Sequence, residues 1–200
     1  MGERCRTRAM YIDKVLNSTD RVIAMIEGIL SYSTIGSKEL PTETIDLNRI
    51  VNGIETDLEI LIHQKNAIIS KDELPEMEGA AVLISQLFYN VINNSLKFLK
   101  PDVPVVISIT SSIESKNGVN YAKIRIEDNG LGFDPAQSEK IFNTFTRLNS
   151  KDKYEGTVLG LTLCKKITER HHGSISADGV KDKGPILTIW LPIKQSLNNI

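Results

Sequence analysis

The chain lacks the marks of several common protein classes. Of its 200 residues, two are cysteine, one is tryptophan, three are histidine and 6% are aromatic. Cys5 and Cys164 provide neither a disulfide framework nor a zinc-ligand spacing, and Cys164 reads as a small buried thiol on an apolar helix face. The formal net charge is −1, so no charge excess points to nucleic acid or to an anionic membrane. No apolar run approaches the roughly 18 residues of a membrane span. The basic segment Met1–Arg8 lacks the apolar stretch of a signal peptide. These absences exclude direct membrane contact and make a reducing cytoplasm the expected compartment. What is present, 40% hydrophobic and 24% charged residues, suits a soluble chain with one good core.

Periodicity divides the chain near residues 36–41. Ile12, Val15, Leu16, Thr19, Val22, Ile26, Ile29, Leu30 and Ser33 recur at three- and four-residue intervals and predict one long helix over 11–33. A lone helix with such a stripe needs a partner, and pairing of two copies supplies one. Beyond the break, residues 42–46 predict a short strand and Asp46 caps a helix bearing Leu47, Ile50, Val51, Ile54, Leu58, Leu61 and Ile62. A strand over 67–70 and a helix over 78–99, stopped by Pro101, follow. Two alternating runs, 105–113 and 121–128, flank Asn117-Gly118, a hairpin signal. Residues 129–158 read as a loop with a short helical turn. A helix over 159–171 ends at Gly173, and strands at 175–177 and 186–191 close the chain. The mixture predicts a two-layer α/β sandwich.

Three constellations carry chemistry. Ala122, Ile124, Ile126 and Asp128 share one face of a strand, and that face is apolar. A carboxylate there needs a partner, which the amino group of an adenine would supply. Asp128-Asn129-Gly130-Leu131-Gly132-Phe133 is equally compatible with an ordinary tight turn. Asn90, Asn94 and Lys97 share a face of the helix over 78–99, suited to a hard cation and a phosphate, or simply to solvent. Gly156-Thr157-Val158-Leu159-Gly160-Leu161 places glycines before a helix N-terminus, where free amides favour phosphate.

Taken in order, these segments resemble the N, G1, F and G2 boxes of histidine-kinase ATPase domains. The N box is Asn90 to Phe98, the G1 box Asp128 to Phe133, the F box Ile141 to Leu148 and the G2 box Gly156 to Leu161. The match covers about residues 40–194 and extends to the superfamily that includes gyrase and MutL. The Phe145-Thr146-Arg147-Leu148 element and the Lys97-Phe98 pair favour the kinase branch.

The resemblance implies a Bergerat-type sandwich, a mixed sheet with three helices on one face, preceded by one long N-terminal helix. It implies ATP and Mg²⁺ as cofactors. Asp128 would hold the adenine amino group, Gly130 and Gly132 would admit the base, and Phe98 would line its pocket. Asn94 would meet Mg²⁺ with Asn90 nearby, and Lys97 would meet phosphate. Arg147, Gly156, Thr157, Leu159 and Gly160 would reach the phosphates from the lid, about residues 129–158. Phe142 and Phe145 would pack the lid onto the core.

Residues 1–35 resemble the second helix of a dimerisation domain, incomplete, and 195–200 form a tail. The phosphoacceptor helix is absent from this sequence, and His63, His171 and His172 have surface or packing roles. The implied activity is transfer of the ATP γ-phosphoryl group to a histidine, with a response-regulator receiver domain as partner and a homodimer through the N-terminal helix. Val158 and Thr162 stand where the family has glycine and alanine, and Ser95 where it has alanine. Val158 supports an alternative, a weak or inactive nucleotide module serving dimerisation or docking.

Overall fold

A computed structural model describes residues 19, 26, 40–100, 103–143, 160–180 and 183–195. The predicted helix over 11–33 therefore lies outside the described residues except for Thr19 and Ile26, which are both helical and exposed. The described chain runs β1 (Glu43–Asp46), α1 (Leu47–Asp57), α2 (Glu59–Gln64), β2 (Ile68–Lys71), β3 (Glu76–Gly79) and α3 (Ala81–Lys97). It continues through β4 (Val106–Lys116), β5 (Val119–Asp128), two single 3₁₀ turns at Pro135–Gln137 and Lys140–Phe142, α4 (Gly160–Arg170), β6 (Ser174–Val180) and β7 (Gly184–Pro192).

The main sheet has the order β2-β4-β5-β7-β6. It is mixed, because β2 runs parallel to β4 while the other neighbours are antiparallel. Strands β1 and β3 form a separate antiparallel ribbon, tied to the sheet where Glu78 N–H donates to the Ile193 carbonyl at 2.8 Å. The alternation of the sequence decides which face is covered. Ile107, Ile109, Ala122, Ile124, Ile126, Leu187, Ile189 and Leu191 are buried on one side, while Thr110, Arg125 and Glu127 face solvent on the other. The buried stripes of α1 (Leu47, Val51, Ile54), α3 (Leu83, Ile84, Leu87, Phe88, Val91, Ile92, Leu96) and α4 (Leu163, Cys164, Ile167) complete this core, with α3 between the other two. Each fully buried aliphatic or Phe side chain here contributes roughly 1.5–3 kcal/mol.

Local chemistry sets the boundaries. Asp46 accepts from Asn48 N–H at 2.8 Å and caps α1, as predicted. Asn117 and Gly118, with φ of 51° and 79°, make the hairpin turn between β4 and β5. Two expectations are corrected. The helix predicted over 78–99 starts at Ala81, because Met77 and Gly79 alternate inward with exposed Glu76 and half-buried Glu78 and form a strand. The helix C-terminus predicted to turn on Gly173 turns on His172 instead, at φ 56°. Gly173 is needed for closeness, since a Cβ there would overlap the Trp190 carbonyl.

Candidate functional site

The C-terminal half of α3 and the end of β5 bring the first group together. The apolar parity of β5 carries Asp128 inward, where it is 6% exposed. Its Oδ1 accepts the Gly130 N–H at 2.9 Å. Burial holds the Asp128 carboxyl above its ordinary range, opposed by the neighbouring Ser95 hydroxyl and by the Gly130 N–H. Gly130 lies against α3, where a Cβ would overlap the Phe98 carbonyl and stand 2.7 Å from Asp128 Oδ1. The same Phe98 carbonyl accepts from Leu131 N–H at 3.1 Å, so this loop is laced to the end of α3. Gly132, at φ 62°, turns the chain away.

Asn129 does a different job. Its amide bonds Val106 N–H at 3.0 Å and the Pro104 carbonyl at 2.9 Å, pinning the start of β4. The Asp-Asn-Gly sequence is thus a turn whose middle residue is structural and whose first carboxylate has acceptor capacity to spare.

The second group lies where α3 faces α4. Asn90 and Asn94 are one turn apart, and an ideal Cβ on Gly160 would stand 3.8 Å from Asn90 Oδ1 and 3.9 Å from Asn94 Nδ2. The first residue of α4 is therefore seated over both amides. Asn90 Nδ2 and Thr162 Oγ1 are buried without a hydrogen-bond partner. Such orphans cost free energy unless something else satisfies them. Lys97 and Phe98 close α3, both half-buried. Asn94 to Phe98 spans about 6 Å of helix rise, so one helix carries both groups.

Seven predicted site residues are thus brought along the C-terminal half of α3: Asn90, Asn94, Phe98, Asp128, Gly130, Gly132 and Gly160, with Lys97 beside them. Arg147, Gly156, Thr157, Leu159 and Val158 lie outside the described residues, as does Phe145. Phe142 is buried, 5% exposed, as predicted for a packing role.

Two glycines without a role in the sequence reading support the site from behind. Gly184, at φ 91°, lies where a Cβ would overlap the Asp128 carbonyl, and Gly179 has the Phe133 ring at 2.7 Å from its ideal Cβ. The Asp178-Gly179 and Gly184-Pro185 pairs signal turns, but not this close approach.

His171 is buried at 4% exposure. Its Nδ1–H donates to the Ile167 carbonyl at 2.8 Å and its Nε2 accepts the Ala80 N–H at 3.1 Å. His63 and His172 are exposed. Among the described residues, no cluster of three or more His, Cys, Asp or Glu side chains could hold a metal, and no helix is long and apolar enough to cross a membrane.

Residues 79–195 match the family described as histidine kinase-, DNA gyrase B- and HSP90-like ATPase. The chain belongs to this ATPase family. Curated relatives include cyanobacterial phytochrome A of Nostoc sp., 29% identical over 183 residues, with 92% of this chain and 23% of that protein covered. Sensor protein kinase WalK of Staphylococcus aureus is 30% identical over 190 residues, with 91% of this chain and 44% of the relative covered. The chain thus spans about a quarter to less than half of the length of these relatives. Among solved structures, full-length ShkA in complex with AMPPNP superposes with a TM-score of 0.74 at 19% identity, covering 94% of this chain and 39% of that one. Histidine kinase ThkA in complex with response regulator protein TrrA gives 0.70 at 23% identity, covering 94% and 52%. At these identities the superpositions establish a shared fold. The mixed sheet with helices on one face is the architecture of this ATPase family.

Proposed function

We propose that this chain is the ATP-binding catalytic domain of a two-component sensor histidine kinase, delivering the ATP γ-phosphoryl group to a histidine. The observation that carries this is Asp128, a buried carboxylate with spare acceptor capacity, held beside the C-terminal end of α3. The family match over 79–195 and the kinase relatives support it.

In this reading Asp128 accepts a hydrogen bond from the adenine amino group. Gly130, Gly132 and Phe98 form the wall against which the base lies. The eleven-residue helix α4 directs its N-terminal amides and dipole toward the phosphates, and the orphaned Asn90 Nδ2 gains an acceptor there. Lys97 neutralises phosphate charge as a point cation. Arg147, Gly156, Thr157, Leu159 and Gly160 complete the phosphate side from a lid spanning about residues 129–158.

The residues fit a Mg²⁺ that arrives on the nucleotide. Asn94 and Asn90 offer amide oxygens, and the described residues include no acidic cage, which suits a cation held largely by phosphates and water. Bound there, the cation would supply charge neutralisation for phosphoryl transfer. The protein's own contribution is positioning and a fixed electrostatic frame.

His171 has both ring nitrogens bonded and is not available as an acceptor in this fold, and the accepting histidine is assigned to a separate phosphoacceptor helix. Residues 1–35 are assigned to the second helix of a dimerisation domain that pairs with a second copy. Residues 40–194 are assigned to the ATPase domain. A response-regulator receiver domain is the downstream partner, in a cytoplasmic setting. Calorimetric titration with Mg·ATP tests the proposal. Saturable binding that is lost in Asp128→Asn is expected. No detectable binding would leave the docking-module reading, to which Val158 points.

A further inference from the structure

We infer that Gly179 is a positioning residue for the Asp128–Phe133 loop. The slot it leaves on β6 holds the Phe133 ring, so the loop is strung between α3 and the edge of the sheet. The effect on ligand affinity rests on the nucleotide reading of the site, while the anchoring stands apart from it.

The α3 anchor is the Leu131 N–H, which donates to the Phe98 carbonyl at 3.1 Å. Two residues on, the Phe133 ring lies on Gly179, which is buried in the edge strand β6. An ideal Cβ on Gly179 would stand 2.7 Å from the ring Cε2 and Cζ and 2.8 Å from Cδ2. Ordinary carbon contacts are about 3.5–4.0 Å, so a methyl there must displace the ring or the strand by roughly 1 Å. The φ of Gly179 is not positive, so the ring, and not backbone conformation, accounts for the missing side chain. The ring is half-buried and packed against the core, which leaves it little room to swing. Beyond it, Asp134 Oδ1 accepts the Ala136 N–H at 2.9 Å and caps a 3₁₀ turn that also packs on β6. Leu131 to Phe133 spans at most about 7 Å, so the turn at Gly132 must take up any displacement.

The other end of the loop meets the same hairpin. Gly184, which pairs with Val180 across the β6–β7 turn, lies against the Asp128 carbonyl. Gly179 pairs with Pro185, so the ladder carries both glycines as one unit. The loop therefore starts on Gly184, is laced to α3 in its middle and ends on Gly179. Three fixed points hold six residues. Removing the last of them frees the Gly130–Gly132 backbone, whose amides make the bonds to Asp128 and Phe98.

Amide hydrogen exchange of the nucleotide-free chain reads the anchoring, and calorimetric titration with ADP reads its consequence. Gly179→Ala should speed exchange at Gly130 and Leu131 by about tenfold more than at Ile124. Ile124 lies in β5 between two partner strands and follows global stability. Phe133→Val removes the three overlapping ring atoms, and with them the anchor, and should act alike. ADP affinity should fall by about tenfold in each variant, as for a site displaced by a fraction of an ångström. The double variant has no ring for the new methyl to meet, so it should lose no more than Phe133→Val alone. Gly53→Ala on α1, where a Cβ meets nothing within 4 Å, should change neither reading. Exchange at Gly130 and Leu131 that rises only as much as at Ile124 would overturn the anchoring, as would losses that add in the double variant. If Gly179→Ala does not fold, Phe133→Val decides by the same comparison. Faster local exchange with unchanged ADP affinity would overturn the positioning role. Faster local exchange with no ADP binding by the wild-type chain would retain the anchor and overturn the nucleotide reading.

Discussion

Two buried titratable side chains, Asp128 at the end of β5 and His171 at the end of α4, have opposite surroundings. His171 is complete within the chain, since one ring nitrogen donates to Ile167 and the other accepts from Ala80. It locks α4 to the start of α3 and leaves nothing for a ligand. Asp128 accepts from Gly130 N–H, and a carboxylate has about four acceptor positions. It faces the C-terminal half of α3, the helix that also carries an orphaned amide, Asn90 Nδ2. Burial alone therefore does not mark a functional group. Unused hydrogen-bonding capacity beside other unsatisfied groups does.

The largest effect is expected at Asp128. Asp128→Asn should weaken ADP binding by about 10- to 100-fold, the worth of one charge-assisted hydrogen bond, by calorimetry. The fold itself should tolerate the change, because the new amide oxygen still accepts from Gly130. Global unfolding of this variant would move Asp128 into the structural class of His171.

Next in size is the support behind the site. Gly184→Ala should destabilise the chain by about 2 kcal/mol or more in denaturant unfolding, combining a φ of 91° with overlap on the Asp128 carbonyl. A wild-type midpoint would show that the β6–β7 turn can withdraw from Asp128.

Acid and base should act oppositely on the two groups. Burial lowers the His171 pKa, so its contribution to stability is full above the ordinary histidine value, about 6.5, and is lost as pH falls toward the depressed folded value. His171→Gln should flatten that acid loss in thermal unfolding. Asp128 is raised, so in the nucleotide-free chain its contribution is full below the ordinary carboxylate range and declines as pH rises through the folded value. Asp128→Asn should remove that decline. Identical pH profiles for wild type and either variant would refute the corresponding burial argument.

The smallest effect expected is a gain. His172 holds a left-handed conformation at the end of α4, and His172→Gly should stabilise the chain by about 1 kcal/mol in thermal unfolding. A loss of stability would mean that the His172 side chain makes a compensating contact.

Much of this was legible in the sequence because it depends on parity. Strand alternation placed Asp128 inward, and helical spacing put Asn90 and Asn94 on one face. Asn117-Gly118 announced its hairpin. The misreadings fall where a signal is short or depends on distant chain. Strand β3 is four residues long, and its Met77 and Gly79 merge into the apolar pattern of α3. Gly173 is required by the Trp190 carbonyl of another strand, so its presence looked like a helix stop. The roles of Gly179 and Gly184 and the completed bonding of His171 are likewise tertiary, and no local window contains them.

The proposed function requires Asp128 to read the amino group of a purine. Its most direct test is to titrate the wild-type chain calorimetrically with Mg·ATP and, separately, with Mg·GTP at neutral pH. Binding of ATP with GTP weaker by at least about tenfold is the predicted result. Equal affinity for the two nucleotides would contradict it.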